Sequence, residues 1–268
     1  MGTTAAASFR EIRLLPDASM ADTALLGRLY RAWYAARPGS VARSAERWRQ
    51  RLAPREDPRG GTADVVCVLH HDDEEGADGC ALYTARPDWS PGQVPNGVTV
   101  VLEVCAQTAR ALASLWGHLL SVDMMASVLA PVIPADDPGI WTLRDSRQWQ
   151  MQLTDNLWIR LVDVPAALRA RTYAREVDVV LDVQDDVLPA NARKYRLAGD
   201  TTGASCEPTT APADLRVAAA HLGASYLGGT SLARLALSGG LEERTRGALP
   251  AAATALSAPL APCCIDPF

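Results

Sequence analysis

No Cys-x-x-Cys pair occurs anywhere in this 268-residue sequence. The six cysteines, Cys67, Cys80, Cys105, Cys206, Cys263 and Cys264, stand at no zinc-finger or redox spacing, and the four histidines, His70, His71, His118 and His221, fall at no zinc spacing relative to them. No metal is expected. Cys67 and Cys105 lie in apolar runs and read as small buried hydrophobes. The neighbours Cys263 and Cys264 would close a strained ring if bridged, so no disulfide is expected there. Long apolar runs are missing too. "MMASVLAPVI" breaks at Pro131 and Pro134, which leaves no membrane span. The opening "MGTTAAASFREIRLLPDASM" has no basic start followed by an apolar core, so no signal peptide is expected and the chain reads as cytoplasmic. Lysine is scarce: of the 26 basic residues Lys194 is the sole lysine, and the net charge is −5. A non-specific nucleic-acid binder would carry the opposite balance.

What is present is ordinary for a globular protein, with 48% hydrophobic and 21% charged residues. The length is comfortable for two domains, each able to bury a core without staples. Apolar periodicity predicts a strand in "SFREIRLL" and a helix in "ADTALLGRLYRAWYAARPG", with Leu25, Leu26, Leu29, Tyr30 and Trp33 on one face. Ser40 is the candidate cap of a second helix, "VARSAERWRQRL". "ADVVCVLHH" and "GCALYTA" form a hairpin across the acidic turn "DDEEGADG", and "VTVVLEVCA" is a longer strand. Thr108 caps "ARALASLWGHLLSV", whose inner face is Leu112, Leu115, Trp116 and Leu119. "DMMASVLA" reads as a strand and "DDPGIWTLRD" as a short helix.

Around residue 150 the pattern changes, which divides the chain into domains at 1–150 and 151–268. "NLWIRLVD" reads as a strand, and Asp163 caps the helix "VPAALRARTY". "VDVVLDVQ" and "KYRLAG" read as strands, "DTTGASCEPTTAPA" as a turn-rich connector, and "DLRVAAAHLGASYL", "SLARLALSGG" and "PAAATALSA" as helices.

The chemical motifs are sparse. Gly223 to Ser231, "GASYLGGTS", approaches a phosphate-binding loop but places Gly229 where that loop needs lysine, so a helix–loop–helix turn is the better reading. The acidic turn lacks the alternating ligands of a calcium loop. Of His70 and His71, at a strand end, only one can face inward. Met124 and Met125, with Trp116 near in sequence, suit either an apolar pocket or plain core packing.

The order β-α-α-β-β-β-α-β resembles the GCN5-related acetyltransferase fold, GNAT. Such enzymes hold the diphosphate of acetyl-CoA on backbone N–H groups of a glycine-rich turn between a long strand and the next helix. The corresponding stretch, "VLEVCAQTARALASLW", carries Ala106, Gln107, Thr108 and Ala109 and no glycine. The second half is similar to the Eis family of acetyltransferases. It carries "DNLWIRLVDVPAALRARTYA", "VDVVLDVQD", "NARKYRL" and "LGASYLGGTSLARLALSGGLEERTRGAL", then a tail ending in Phe. The resemblance implies an α/β (α+β) chain made of a degenerate GNAT-like domain followed by a sterol-carrier-protein-2-like domain. It implies that an N-terminal, acetyl-CoA-binding GNAT domain is absent. It also implies that the α-carboxylate of Phe268 acts as the catalytic acid/base, a role that suits a carboxylate in a partly desolvated pocket.

The resulting expectation is a truncated Eis-like protein that binds a small-molecule metabolite between its two domains, uses no cofactor, and is a recruited enzyme or accessory of specialised-metabolite biosynthesis. Trp116, Met124, Met125, Tyr226 and Asp266 are its expected substrate-binding residues. Two alternatives stand beside it. One is a GNAT-type N-acetyltransferase of aminoglycoside- or polyamine-like amines that uses the C-terminal carboxylate as acid/base, with a separate partner supplying the acetyl-CoA-binding domain or with an unexpected acetyl-CoA site; a homo-oligomer is the other expected association. The other is a non-catalytic carrier of an apolar ligand lined by Leu157, Ile159, Leu161 and Tyr226.

Overall fold

The computed structural model describes residues 12–15, 22–57, 60–72 and 76–266. Two compact units emerge: the chain to Gln152 together with Ile265 and Asp266, and Leu153–Cys264. Each has its own five-stranded sheet.

The first unit runs β1 (Ile12–Leu15), α1 (Asp22–Tyr34), α2 (Ala45–Leu52), a small ribbon of β2 (Arg55–Glu56) and β3 (Thr62–Ala63), β4 (Val66–Asp72), β5 (Gly76–Arg86), a second ribbon of β6 (Trp89–Ser90) and β7 (Val94–Pro95), β8 (Gly97–Ala106), α3 (Ala109–Leu120) and β9 (Met125–Leu129). The sheet order is β1-β4-β5-β8-β9. All its pairs are antiparallel except β8–β9, which α3 joins as a parallel crossover. β9 pairs only with Gly97 to Val100, so that edge of β8 is free of β9 from Val101 onward.

Two irregularities in this sheet matter later. β4 and β5 slip at His70/His71, which leaves Asp78 as an extra residue between Ala77 and Gly79. β5 and β8 slip at Leu82/Tyr83, which leaves Leu102 without a partner on β5. Each bulge reverses the alternation of side chains beyond it. Val101, Val104 and Ala106 therefore share one face, packed with Ala111, Leu112, Leu115, Trp116 and Leu119 of α3. Val100, Glu103 and Cys105 point the other way, toward the face covered by α1 and its buried Leu26, Leu29, Tyr30 and Tyr34. Fully burying one such leucine stabilises the fold by about 1.5–3 kcal/mol.

The second unit runs α4 (Val164–Arg169), β10 (Val177–Gln184), β11 (Lys194–Gly199), β12 (Ala204–Pro208), β13 (Leu215–Ala218), α5 (Ala219–Ser225), α6 (Leu232–Leu237), β14 (Leu241–Glu243) and α7 (Ala248–Ala255). Its sheet order is β12-β11-β10-β13-β14, with β10–β13 the parallel pair. One apolar core gathers Leu161, Leu168, Tyr173, Leu197, Leu215, Leu222 and Leu232.

The mixed α/β class expected from the sequence holds for both units, and several elements differ from expectation. Ser44, not Ser40, caps α2, accepting from the Arg47 N–H at 3.2 Å. "NLWIRLVD" forms no strand. Its alternation is real, because Ile159 and Leu161 turn inward while Trp158 and Val162 stay exposed. Its carbonyls find a side chain instead of a neighbouring strand: Asn191 Nδ2 donates to Leu161 at 3.4 Å and to Val162 at 3.1 Å. The turn-rich connector holds β12, whose Cys206 is buried opposite Leu197. The expected helix "DLRVAAAHLGASYL" begins as β13 and becomes helical at Ala219. The "GASYLGGTS" stretch is the end of α5 and a turn into α6, with Gly228 in the left-handed region.

Candidate functional site

At the head of α3 the sequence Thr108-Ala-Arg-Ala supplies its own cap. Thr108 Oγ1 accepts from the Ala111 N–H at 3.1 Å, as expected for a threonine before a helical run. The same hydroxyl donates to Asp78 Oδ2 at 2.8 Å. Asp78, the bulged residue of β5, is buried, and its other oxygen meets His70 Nδ1 at 2.5 Å. The Gln107 N–H donates to the Asp78 backbone carbonyl at 2.9 Å. A carboxylate paired with a buried histidine therefore stands at the helix N-terminus, one hydroxyl away from its first N–H groups. His70 is the inward member of the histidine pair; His71 is half-buried, and burial lowers its proton affinity.

A second cluster lies on the α1 side of the same sheet. Arg43 Nη1 donates to Glu103 Oε1 at 3.1 Å, and its Nη2 stands 2.8 Å from Oε2 in the same ion pair. Its Nε contacts both oxygens of Asp266, at 3.1 and 2.9 Å. The side chains of Arg43 and Glu103 are 0% exposed and that of Asp266 5%. The guanidinium carbon sits 3.9 Å from the centroid of the Tyr30 ring and 4.6 Å from that of Trp48, two cation–π contacts in a desolvated place. Arg51 approaches Glu103 through Nε at 3.4 Å and donates to the carbonyl of Leu102, the bulged residue of β8. The Tyr30 hydroxyl donates to the Val41 carbonyl at 2.9 Å and lies 3.4 Å from Asp266. Burial raises the Tyr30 phenol well above its ordinary range, although Arg43 opposes the shift. Burial alone would lower the proton affinity of Arg43, but Glu103 and Asp266 outweigh it and the guanidinium is held charged. Burial, with Cys80 and Glu103 beside it, pushes the Cys105 thiol far above the thiolate range.

The residues expected to bind substrate are divided between the two units. Trp116 is buried on the α3 side, edge-on to Trp149 at 4.9 Å, in the core packing that was its alternative reading. Met125 opens β9 beside Gly97, and Met124 is exposed with φ at 63°. Tyr226 belongs to the second unit, where its hydroxyl donates to the Ala167 carbonyl at 3.0 Å. The expected apolar lining of that unit is part of its packing: Leu161 is buried, Ile159 and Tyr226 pack against the core, and Leu157 is exposed. Asp266 alone lies in a charged cluster. Phe268 lies outside the described residues. Arg43, Glu103, Asp78 and His70 went unassigned in the sequence: bulges set the positions of Glu103, Asp78 and His70, and Arg43 meets a carboxylate 223 positions away. Among the described residues no group of histidine, cysteine, aspartate and glutamate side chains could hold a metal ion, and no helix is long and apolar enough to cross a membrane.

Comparison with known proteins gives two family matches: a GNAT acetyltransferase domain over residues 39–164 and a sterol carrier protein domain over residues 164–265. An uncharacterised N-acetyltransferase of Streptomyces coelicolor is 39% identical over 227 residues, covering 84% of this chain and 54% of that protein. The N-acetyltransferase Eis of Mycobacterium tuberculosis is 32% identical over 216 residues, covering 78% of this chain and 48% of that one. The chain thus spans about half the length of the curated relatives it matches. Among solved structures, Eis1 of Mycobacterium abscessus superposes with a TM-score of 0.73 at 31% identity, over 97% of this chain and 63% of that one. A GCN5-related N-acetyltransferase of Anabaena variabilis superposes with a TM-score of 0.71 at 19% identity, over 96% of this chain and 63% of that one, a likeness of fold.

Proposed function

From a chain that joins a GNAT acetyltransferase domain to a sterol carrier protein domain, we infer a protein that binds a small-molecule metabolite and does not itself seat acetyl-CoA. The observation that carries this reading is Asp78 at the head of α3. A helix N-terminus attracts an anion by ~0.3–1 kcal/mol, and up to ~2 kcal/mol when partly buried. Here the Gln107 N–H is already bound to the Asp78 carbonyl, and the Asp78 carboxylate, paired with His70, takes the Thr108 hydroxyl. The N–H of Ala111 is also already satisfied by Thr108. No glycine stands between Ala106 and Ala109 to let a diphosphate approach the backbone. The sterol carrier protein domain supports a small-molecule ligand in place of the coenzyme.

Titration calorimetry of the full chain with acetyl-CoA tests this. The expected result is no saturable heat at millimolar coenzyme. A dissociation constant in the micromolar range would overturn the reading.

A further inference from the structure

Among the described residues of the first 152, the Arg43 cluster gathers more guanidinium groups than carboxylates. Two guanidinium groups, Arg43 and Arg51, converge on one carboxylate, Glu103. Their side chains are 0% and 12% exposed, so solvent screens neither well. The second carboxylate is Asp266, which follows the whole of the 153–264 unit in sequence. With Asp266 withdrawn, the described residues of the site would be two buried cations against one anion. Leaving a buried charge uncompensated is strongly unfavourable. Much of the site is fixed without Asp266: Nη1 donates to Glu103, the guanidinium faces are covered by Tyr30 and Trp48, and Arg51 is tied to the Leu102 carbonyl. The Nε edge of Arg43 faces the incoming carboxylate.

We propose that Arg43, braced by Glu103, Tyr30 and Trp48, is a preformed carboxylate-binding socket in the first unit, and that Asp266 is its ligand, delivered in cis to dock Ile265 and Asp266. The class of ligand is a carboxylate: a planar anion that accepts from a single N–H edge in a dry, cation-rich recess. Ile265 is buried beside it, so the docked residues are packed and not merely tethered by charge. The socket lies on the α1 side of the sheet, away from the head of α3, and holds whether or not acetyl-CoA binds.

The test is chemical rescue in the full chain. Asp266→Ala removes the carboxylate and leaves room for a free one. Its melting temperature is expected to fall, and sodium formate is expected to restore it where sodium chloride of equal ionic strength does not. Wild-type protein and the Asp266→Ala, Arg43→Met double variant are expected to show no formate-specific gain. Formate that acts no better than chloride on Asp266→Ala, or equally on all three proteins, would overturn the proposal. Asp266→Asn gives an independent readout that needs no cavity, since it keeps the shape and leaves Arg43 paired with Glu103. Hydrogen exchange at the amides of Ile265 and Asp266 should quicken roughly tenfold or more in that variant, the equivalent of one charge-assisted bond, while β10 and β11 keep their protection. Unchanged exchange at those two amides would refute the socket.

Discussion

The carbonyl oxygen of Ile159 packs directly onto Gly223, where an added Cβ would stand 2.4 Å from it. The obstacle is backbone, which cannot rotate away as a side chain tip can. The extended run 156–163 is held against α5 by this close approach and by Asn191, in place of a strand partner. Gly223→Ala should therefore destabilise the second unit by about 1–3 kcal/mol through overpacking, although alanine is the better helix former. Urea unfolding followed by tryptophan fluorescence measures this, and a gain in stability would contradict the packing.

Arg171 closes two helices at once. Its guanidinium donates to the carbonyls of Tyr226 and Leu256, the residues that cap the C-termini of α5 and α7, and to Thr172. A cation at two negative helix ends adds to the hydrogen bonds themselves. Arg171→Met keeps a stem to lie over Tyr173 and removes every donor. A loss of about 1–3 kcal/mol is expected, from carbonyls left without partners. A midpoint equal to wild type in urea would show the caps to be dispensable.

Asp185 sets part of the acid sensitivity of the same unit. Burial alone would raise its carboxyl, but the N–H groups of Leu188 and Val187, the Asn191 amide and Arg160 together hold it below its ordinary value. A carboxyl depressed on folding contributes stability that is complete above its unfolded pKa, about 3.9, and is lost as pH falls through that value toward the folded one. Wild-type stability should drop more steeply than that of Asp185→Asn below about pH 4, with the variant less stable at neutral pH. Parallel curves across that range would remove Asp185 from the account.

Much of this architecture is legible in the residues. Thr108 and Asp163 cap the helices that follow them, accepting from Ala111 and Ala166 N–H groups, because a hydroxyl or carboxylate before an apolar periodic run has few other uses. The buried face of α3 is the one its 3.6-residue period marks, and of the face expected for α1, Leu26, Leu29 and Tyr30 are buried. The candidate sites are less legible for one physical reason. A period of two puts Val101, Glu103 and Cys105 on one face of a strand, whereas the bulge at Leu102 separates Val101 from the other two. The bulge at Asp78 likewise brings a carboxylate against His70 that a regular hairpin would send elsewhere. Long-range pairings are equally silent in sequence: Arg43 meets a carboxylate 223 positions away. The missed strands β12 and β13 are short, and β12 is bordered by the glycine, proline and threonine residues that signal turns.

The dependence of the Arg43 cluster on Asp266 also has a consequence in time. A ribosome adds ~5–20 residues per second, so translating the second unit delays the arrival of Asp266 by on the order of ten seconds after the first unit has emerged. During that interval Arg43 lacks Asp266, and their pair forms only once the second unit has been made.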